Sequence, residues 1–385
     1  MSIIAKFLIP LSFKILIFNK LLLALMHFKA KKGFLYVKNF LLNNFTSIKV
    51  PYSAQIELTL RCNAKCPFCS IHSLPPAFIR EENEMSTAQV KNLINQIAEL
   101  GVLAISFTGG EPSLRKDLPE LIYHTGIEND LLTGIATNGY LLTELFKEHK
   151  LKGLNYILMS LDYPSAELHD KIRGIKVFDR VIKSIDMANK HDINVILSTV
   201  VMKDNLHLLD EICEIAEKLN CSIEMYPCED IIREFPEKSY QIDDISEMIP
   251  DVSIWANVMR SLRIKYKNIL TDPISVEVIE KGGFGGYPKY HQNTLRCHVA
   301  EAYLFVRYDG YIDYPCKIHP VKSFYSIKHP ISKIYNSKEV REIMQMHDKY
   351  KFCDGCRLGC AIASSMPTRW KTVYSKYISN FIHFI

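Results

Sequence analysis

Cys62, Cys66 and Cys69 form a Cys-x3-Cys-x2-Cys run. Grouped cysteines in a chain without a secretory signal read as metal ligands before disulfides. Three thiolates can hold three irons of a cubane cluster and leave the fourth iron open, as a catalytic centre needs. Zinc is the competing metal, because His72 completes a Cys-x3-Cys-x2-Cys-x2-His set. A second group, Cys297, Cys316, Cys353, Cys356 and Cys360, suits another iron–sulfur cluster or a zinc site. Of the eleven cysteines, Cys213, Cys221 and Cys228 lie apart and read as small buried thiols.

These ligands need a scaffold. Short apolar runs alternate with amphipathic stretches, the pattern of parallel βα units. Strands are expected over 54–60, 102–108, 131–136, 156–161, 194–201 and 222–227. Helices are expected near 86–100, 118–125, 141–150, 178–191 and 205–220, the first opened by a Ser86…Gln89 capping box. The apolar strands predict a sheet buried on both faces. Six strands cannot close an eight-stranded barrel, so the fold class is α/β with a partial (β/α)6 barrel, its chemistry at the C-terminal strand ends.

Beyond the barrel, 229–250 reads as a loop with a short helix and 251–270 as a helix. Gly282-Gly283-Phe284-Gly285-Gly286 reads as a flexible boundary, with no Lys-Ser/Thr pair to hold phosphate. Segments 302–308 and 311–315 form a hairpin around Asp309-Gly310. A two-residue turn there pairs Tyr308 with Tyr311 and sets Cys316 opposite Tyr303 rather than Cys297. The chain before Tyr303 must therefore curl back if the cysteines are to meet.

The motifs resemble the radical SAM superfamily. The cysteine run follows the first strand, with Phe68 as its aromatic residue, and the second strand ends in Gly109-Gly110-Glu111-Pro112, similar to that family's GGEP element. Ala136-Thr137-Asn138-Gly139 ends the third. Ser160-Leu161-Asp162 ends the fourth, followed by His169-Asp170-Lys171-Ile172-Arg173-Gly174. The resemblance implies a 4Fe-4S cluster whose open iron chelates S-adenosylmethionine, and an electron that splits it into methionine and a 5′-deoxyadenosyl radical. It implies that Gly109, Gly110 and Glu111 meet the methionine amino group. Asn138 and Ser160 would meet ribose or carboxylate, Arg173 the carboxylate, and Phe68 the adenine. The second group is similar to the twitch-type (short SPASM-like) domain with an auxiliary 4Fe-4S cluster. Cys297, Cys316, Cys353 and Cys356 would be its ligands and Cys360 a surplus or replacement. A low-potential donor such as ferredoxin or flavodoxin is implied, within a reducing, cytoplasmic setting.

Charge is uneven along the chain. Residues 1–50 hold eight lysines and no acid, and 366–385 carry +3, which leaves 51–365 at −6 in a total of +5. Four parts follow: a basic amphipathic segment over 1–50, a core domain over 51–275, an auxiliary cluster domain over 290–365 and an amphipathic helix over 366–385. Lysines interrupt every apolar window, so interfacial helices are expected rather than spanning ones. That predicts peripheral contact with a membrane surface or a lipid substrate, and no nucleic acid. Hydrogen abstraction from a lipid chain is the leading expectation. A peptide or other soluble substrate is the alternative, and a metal-binding scaffold the third reading.

Overall fold

A computed structural model describes residues 30–229, 244–284, 297–346 and 349–365, apart from the side chains of residues 30, 31, 73 and 360. The amphipathic segments expected within 1–29 and 366–385 lie outside the described residues.

After helix α1 (Ala30–Phe45) come β1 (Ser53–Thr59), α2 (Thr87–Glu99), β2 (Ala104–Gly109), α3 (Leu118–Tyr123) and β3 (Leu132–Thr137). Then follow α4 (Leu142–Lys147), β4 (Tyr156–Ser160), α5 (Ala166–Arg173), α6 (Phe178–Lys190), β5 (Asn194–Val201), α7 (Leu209–Lys218) and β6 (Ser222–Pro227). All six expected strands form and pair in parallel, each beside its sequence neighbour. The capping box at α2 is present: Gln89 N–H donates to Ser86 Oγ at 3.3 Å, and Ser86 N–H donates to Gln89 Oε1 at 2.8 Å.

Only one face of this sheet is dry. Ile56, Ile105, Phe107, Ile135, Ile157, Leu197 and Ile223 are fully buried, whereas Gln55, Ser106, Thr108, Ser160, Ser198 and Glu224 point to the opposite, half-open side. The expectation of two apolar faces fails because Leu158, Ile196 and Val200 share that second face and mask the period-two pattern. Polar groups on the concave side are what a ligand-lined interior requires. Gly134 belongs there for steric reasons, since a Cβ would lie 2.1 Å from the Tyr156 ring on the next strand.

Helix α8 (Val252–Lys265) falls where expected, but α9 (Pro273–Glu280) does not figure in the sequence reading. Its signal is local: Asp272 caps it by accepting Ile274 N–H at 3.0 Å and Ser275 N–H at 3.2 Å, with Pro273 at the first turn. One helical turn, α10 (Val299–Ala302), then curls the chain ahead of β7 (Tyr303–Val306), β8 (Tyr311–Tyr314) and β9 (Lys322–Tyr325). Helices α11 (Ile331–Tyr335), α12 (Lys338–Gln345) and α13 (Gly359–Ser365) complete the described chain.

The hairpin differs from expectation by one residue. Val306 opposes Ile312, and Arg307 N–H donates to Tyr311 O at 2.8 Å. Three residues therefore form the loop, with Gly310 at φ +86° supplying the left-handed position that such loops need. Strand β7 also adds to β1 in parallel, from Ser53 opposite Tyr303 to Ile56 opposite Val306. The result is one open nine-stranded sheet, β6-β5-β4-β3-β2-β1-β7-β8-β9. This joins the second cysteine group rigidly to the barrel edge.

Candidate cluster and cofactor site

The cysteine loop leaves β1 and turns tightly. Cys69 N–H donates to Cys66 O at 3.1 Å, and Ala64 N–H points at Cys62 Sγ at 3.4 Å. Cys66 lies deepest, at 6% exposure, with Cys62 and Cys69 half-buried. Burial pushes the Cys62 thiol up to about 11 and raises that of Cys66 against the opposing pull of Arg173. Metal binding here must displace protons, as thiol sites commonly require. Among the described residues no three His, Cys, Asp or Glu side chains converge on a point that one metal ion could occupy. Ligands to separate irons of one cluster need not converge in that way. His72, the zinc-set partner, is exposed on the turn after Cys69.

The Gly109-Gly110 backbone lies against the root of this loop. Gly110 N–H donates to Thr59 O and Glu111 N–H to Arg61 O, both at 2.8 Å. A Cβ on Gly109, whose φ is +151°, would lie 2.2 Å from Thr59 O, and one on Gly110 would lie 2.3 Å from Arg61 O. Only glycine lets the two backbones approach so closely. Glu111 has no exposed surface, and its carboxylate turns inward. It accepts Ser113 N–H at 3.0 Å, Ser113 Oγ–H at 2.5 Å, Thr137 Oγ1–H at 2.8 Å and Asn138 N–H at 2.7 Å. It thus ties the ends of β2 and β3 together. The Asn138 amide donates to Asn63 Oδ1 at 2.8 Å and accepts Tyr140 N–H at 2.9 Å, bracing the cysteine loop from the third strand.

Arg173 closes the loop's other side. Its guanidinium lies 2.6 Å from Asp162 Oδ2, 3.7 Å from Cys66 Sγ and 5.5 Å from the Phe68 ring centre. Its carbonyl accepts Lys65 N–H at 2.8 Å. Phe68 packs beside Tyr163, Met202 and Cys228, which gives Cys228 the role of a buried apolar contact. Ser160 stands half-buried on the concave face, opposite Ser198 of β5. Asp162 stands in the fourth-strand motif without an assigned role, and nothing local marks Asn63.

The second group is assembled by α10 and the hairpin. Cys297, Cys316, Cys353 and Cys356 line one cavity of about 280 Å3. Cys360 lies in α13, its side chain outside the described ones. Burial pushes the Cys356 thiol up to about 12 and Cys297 higher still. Gly283, expected within a flexible boundary, instead packs against this loop: its Cβ position lies 2.1 Å from Cys356 O, which also accepts Phe284 N–H at 3.1 Å. Glu229 and Arg357 line the same cavity, and Glu229 Oε1 has no hydrogen-bond partner among the described residues. The link to the barrel is direct, since a Cβ on Gly359 would lie 2.5 Å from the Tyr226 ring of β6.

Comparison with known proteins accords with this arrangement. The radical SAM superfamily model matches residues 56–217, and that of SPASM, an iron–sulfur cluster-binding domain, matches 297–357. Fe-coproporphyrin III synthase of Methanosarcina barkeri is 37% identical over 164 residues, 42% of this chain and 40% of that protein. PqqA peptide cyclase of Granulibacter bethesdensis is 32% identical over 179 residues, 46% of this chain and 47% of that protein. The chain thus spans less than half the length of these two relatives. AdoMet-dependent heme synthase of M. barkeri is 27% identical over 334 residues, 78% of this chain and 89% of that protein. In fold, the chain is similar to Streptococcus suis SuiB bound to S-adenosylmethionine, with a TM-score of 0.59 and 17% identity over 82% of this chain and 72% of that one. It is likewise similar to anSMEcpe with bound AdoMet, with a TM-score of 0.57 and 15% identity over 87% of this chain and 99% of that one. A three-cysteine loop laced to a glycine pair on one strand end, and four cysteines around a second cavity, therefore have a common explanation: the chain belongs to the radical SAM superfamily and carries a SPASM iron–sulfur cluster-binding domain.

Proposed function

We propose that the protein cleaves S-adenosylmethionine reductively and takes a hydrogen atom from a peptide substrate held between the barrel mouth and the auxiliary cavity. The observation that carries this reading is the Gly109-Gly110 backbone packed against the root of the Cys62–Cys69 loop, at the strand ends that also reach the second cavity through Tyr226 and Gly359. When bound, the cluster at Cys62, Cys66 and Cys69 supplies the electron that splits S-adenosylmethionine into methionine and the 5′-deoxyadenosyl radical.

The chain's own residues position and enclose. Gly109 and Gly110 offer bare backbone to the methionine end, Ser160 a hydroxyl toward ribose or carboxylate, and Phe68 an apolar wall toward adenine. Glu111, Asn138 and Arg173 act by position: their polar groups already hold β2, β3 and the cysteine loop in register. In the second cavity Cys297, Cys316, Cys353 and Cys356 suit the auxiliary cluster. A low-potential donor such as ferredoxin or flavodoxin completes the reaction.

The peptide class is supported by the peptide cyclase relative. A tetrapyrrole substrate is the second reading, favoured by the alignment with heme synthase along 89% of that protein. The expected lipid-chain substrate gives way: none of these relatives is named for a lipid, and α1 meets the barrel at the strand ends away from the mouth. Release of 5′-deoxyadenosine from anaerobically reconstituted, reduced protein tests the chemistry. Stimulation by a candidate peptide or by a coproporphyrin separates the substrate classes. Release by Cys66→Ala equal to that of the unaltered protein would overturn the cluster assignment.

A further inference from the structure

Two opposite charges face the auxiliary cavity and do not meet. Glu229 follows β6 by two residues and, among the described residues that line the cavity, is the one supplied by the barrel. Arg357 comes from the second cysteine group, directly after Cys356. Glu229 Oε1 and Arg357 Nε are both buried without a hydrogen-bond partner, and among the described residues no ion pair engages either side chain. Burial works against the Glu229 charge, whereas Arg357 is near enough to favour it. The two groups are thus within electrostatic reach of each other and out of bonding reach.

Buried polar groups are nearly always bonded, so an unbonded pair in one cavity marks where a ligand supplies the bonds. Phe284, Val299, Ile318 and Leu358 give the cavity apolar walls, against which an unmet polar group is costly. The other polar lining residues are placed differently. His319 stacks on Phe352 with ring centres 5.0 Å apart and points its backbone N–H at Cys316 Sγ, 3.5 Å away, while Asp354 is exposed.

The complement of this gap is a group with a donor at one end and an acceptor at the other. A bare carboxylate suits Arg357 but is repelled by Glu229, and an ammonium meets the reverse. A peptide amide satisfies both, because its N–H and C=O lie in one plane and point in opposite directions. We propose that Glu229 and Arg357 clamp one backbone amide of an extended peptide, Glu229 accepting its N–H and Arg357 donating to its carbonyl. Because Glu229 stands at the C-terminal end of β6, a peptide held by it is also held at the barrel mouth. The clamp reads main chain rather than side chains, and it selects against a substrate that offers only carboxylates. It rests on the peptide reading above.

The test is equilibrium dialysis of radiolabelled acetyl-triglycine amide, a peptide without charges or side chains, against reconstituted protein holding both clusters. A saturable site is expected. Glu229→Leu and Arg357→Leu should each weaken binding roughly tenfold or more, the worth of a bond to a charged group. The ester-linked analogue of the probe has no N–H and should compete at least roughly tenfold less well for the unaltered protein. That comparison serves even if both variants lose the auxiliary cluster. Three outcomes overturn the proposal: no binding by the unaltered protein, equal binding by a leucine variant that keeps both clusters, or equal competition by the ester. Release of 5′-deoxyadenosine without peptide, assayed on the same preparations, separates the failures. Release without probe binding sinks the clamp alone, and probe binding without release sinks the catalytic reading alone.

Discussion

Arg173 points one guanidinium nitrogen at the sulfur of Cys66, 3.7 Å away, and another at Asp162, 2.6 Å away. Asp162 has no exposed surface. The arginine is therefore tied to both: it faces a buried carboxylate and lends positive potential to the Cys66 sulfur. Removing one partner of a buried pair costs about 3–5 kcal/mol. Arg173→Gln should lower the unfolding free energy of the apo protein by about that amount, read in urea. After reconstitution its N-terminal cluster should show a more negative midpoint potential by EPR titration, because a neighbouring cation has gone. Arg173→Lys, which keeps the charge, should restore part of the potential. An unchanged potential in Arg173→Gln would leave the residue a purely structural role.

Gly110→Ala tests the close approach of two backbones. The added methyl would lie 2.3 Å from Arg61 O, a main-chain atom that cannot swing aside. The β2 end must move away from the cysteine loop, at a cost of about 1–3 kcal/mol. S-adenosylmethionine affinity, measured by calorimetry on the reconstituted protein, should fall at least tenfold. Retained affinity would show that the two loops separate freely.

The two cysteine groups should fail separately. Cys316→Ala or Cys356→Ala should reduce bound iron from about eight to about four per chain, the content of one [4Fe–4S] cluster. The EPR signal of the N-terminal cluster should survive. Cys66→Ala should do the opposite, keeping the auxiliary signal and abolishing 5′-deoxyadenosine release. Loss of both signals from a single substitution would mean that the clusters fold as one unit.

His169 supplies a pH signature. It has no exposed surface, accepts Asp162 N–H at Nδ1 and packs on Phe178, and burial lowers its pKa to about 3, with Arg173 adding to the shift. Between about pH 6.5 and pH 3 the unfolded chain takes up a proton that the folded chain refuses, so stability falls as pH falls. The slope from this group is about 1.4 kcal/mol per pH unit at most. Urea unfolding of His169→Gln should show a shallower loss across that window. An unchanged slope would assign acid sensitivity to other groups.

Much of this was legible in the chain itself. Six strands appear within two residues of their expected bounds, because apolar runs and turn residues are local signals. The two cysteine groups, the glycine pair and the Ser86 capping box likewise depend on neighbours a few residues away. The hairpin slipped by one residue because Asp309-Gly310 suits both a two-residue and a three-residue loop, and only the pairing of Val306 with Ile312 selects between them.

Residue types and spacing therefore determined the βα scaffold and the superfamily and marked the two cysteine groups, since each rests on short-range pattern. The tertiary structure decided what the polar side chains face. Glu111 and Arg173 read from sequence as ligand contacts, yet their charges turn inward to hold Asn138 and Cys66. Helix α1 reads as a basic apolar segment, yet it buries Asn39 and Asn43, leaves Phe34 and Phe45 exposed and sits away from the mouth. Orientation of this kind is set by hydrogen bonds between residues far apart in the chain, such as Asn39 with Gly101 and Asn138 with Asn63, which no local pattern encodes.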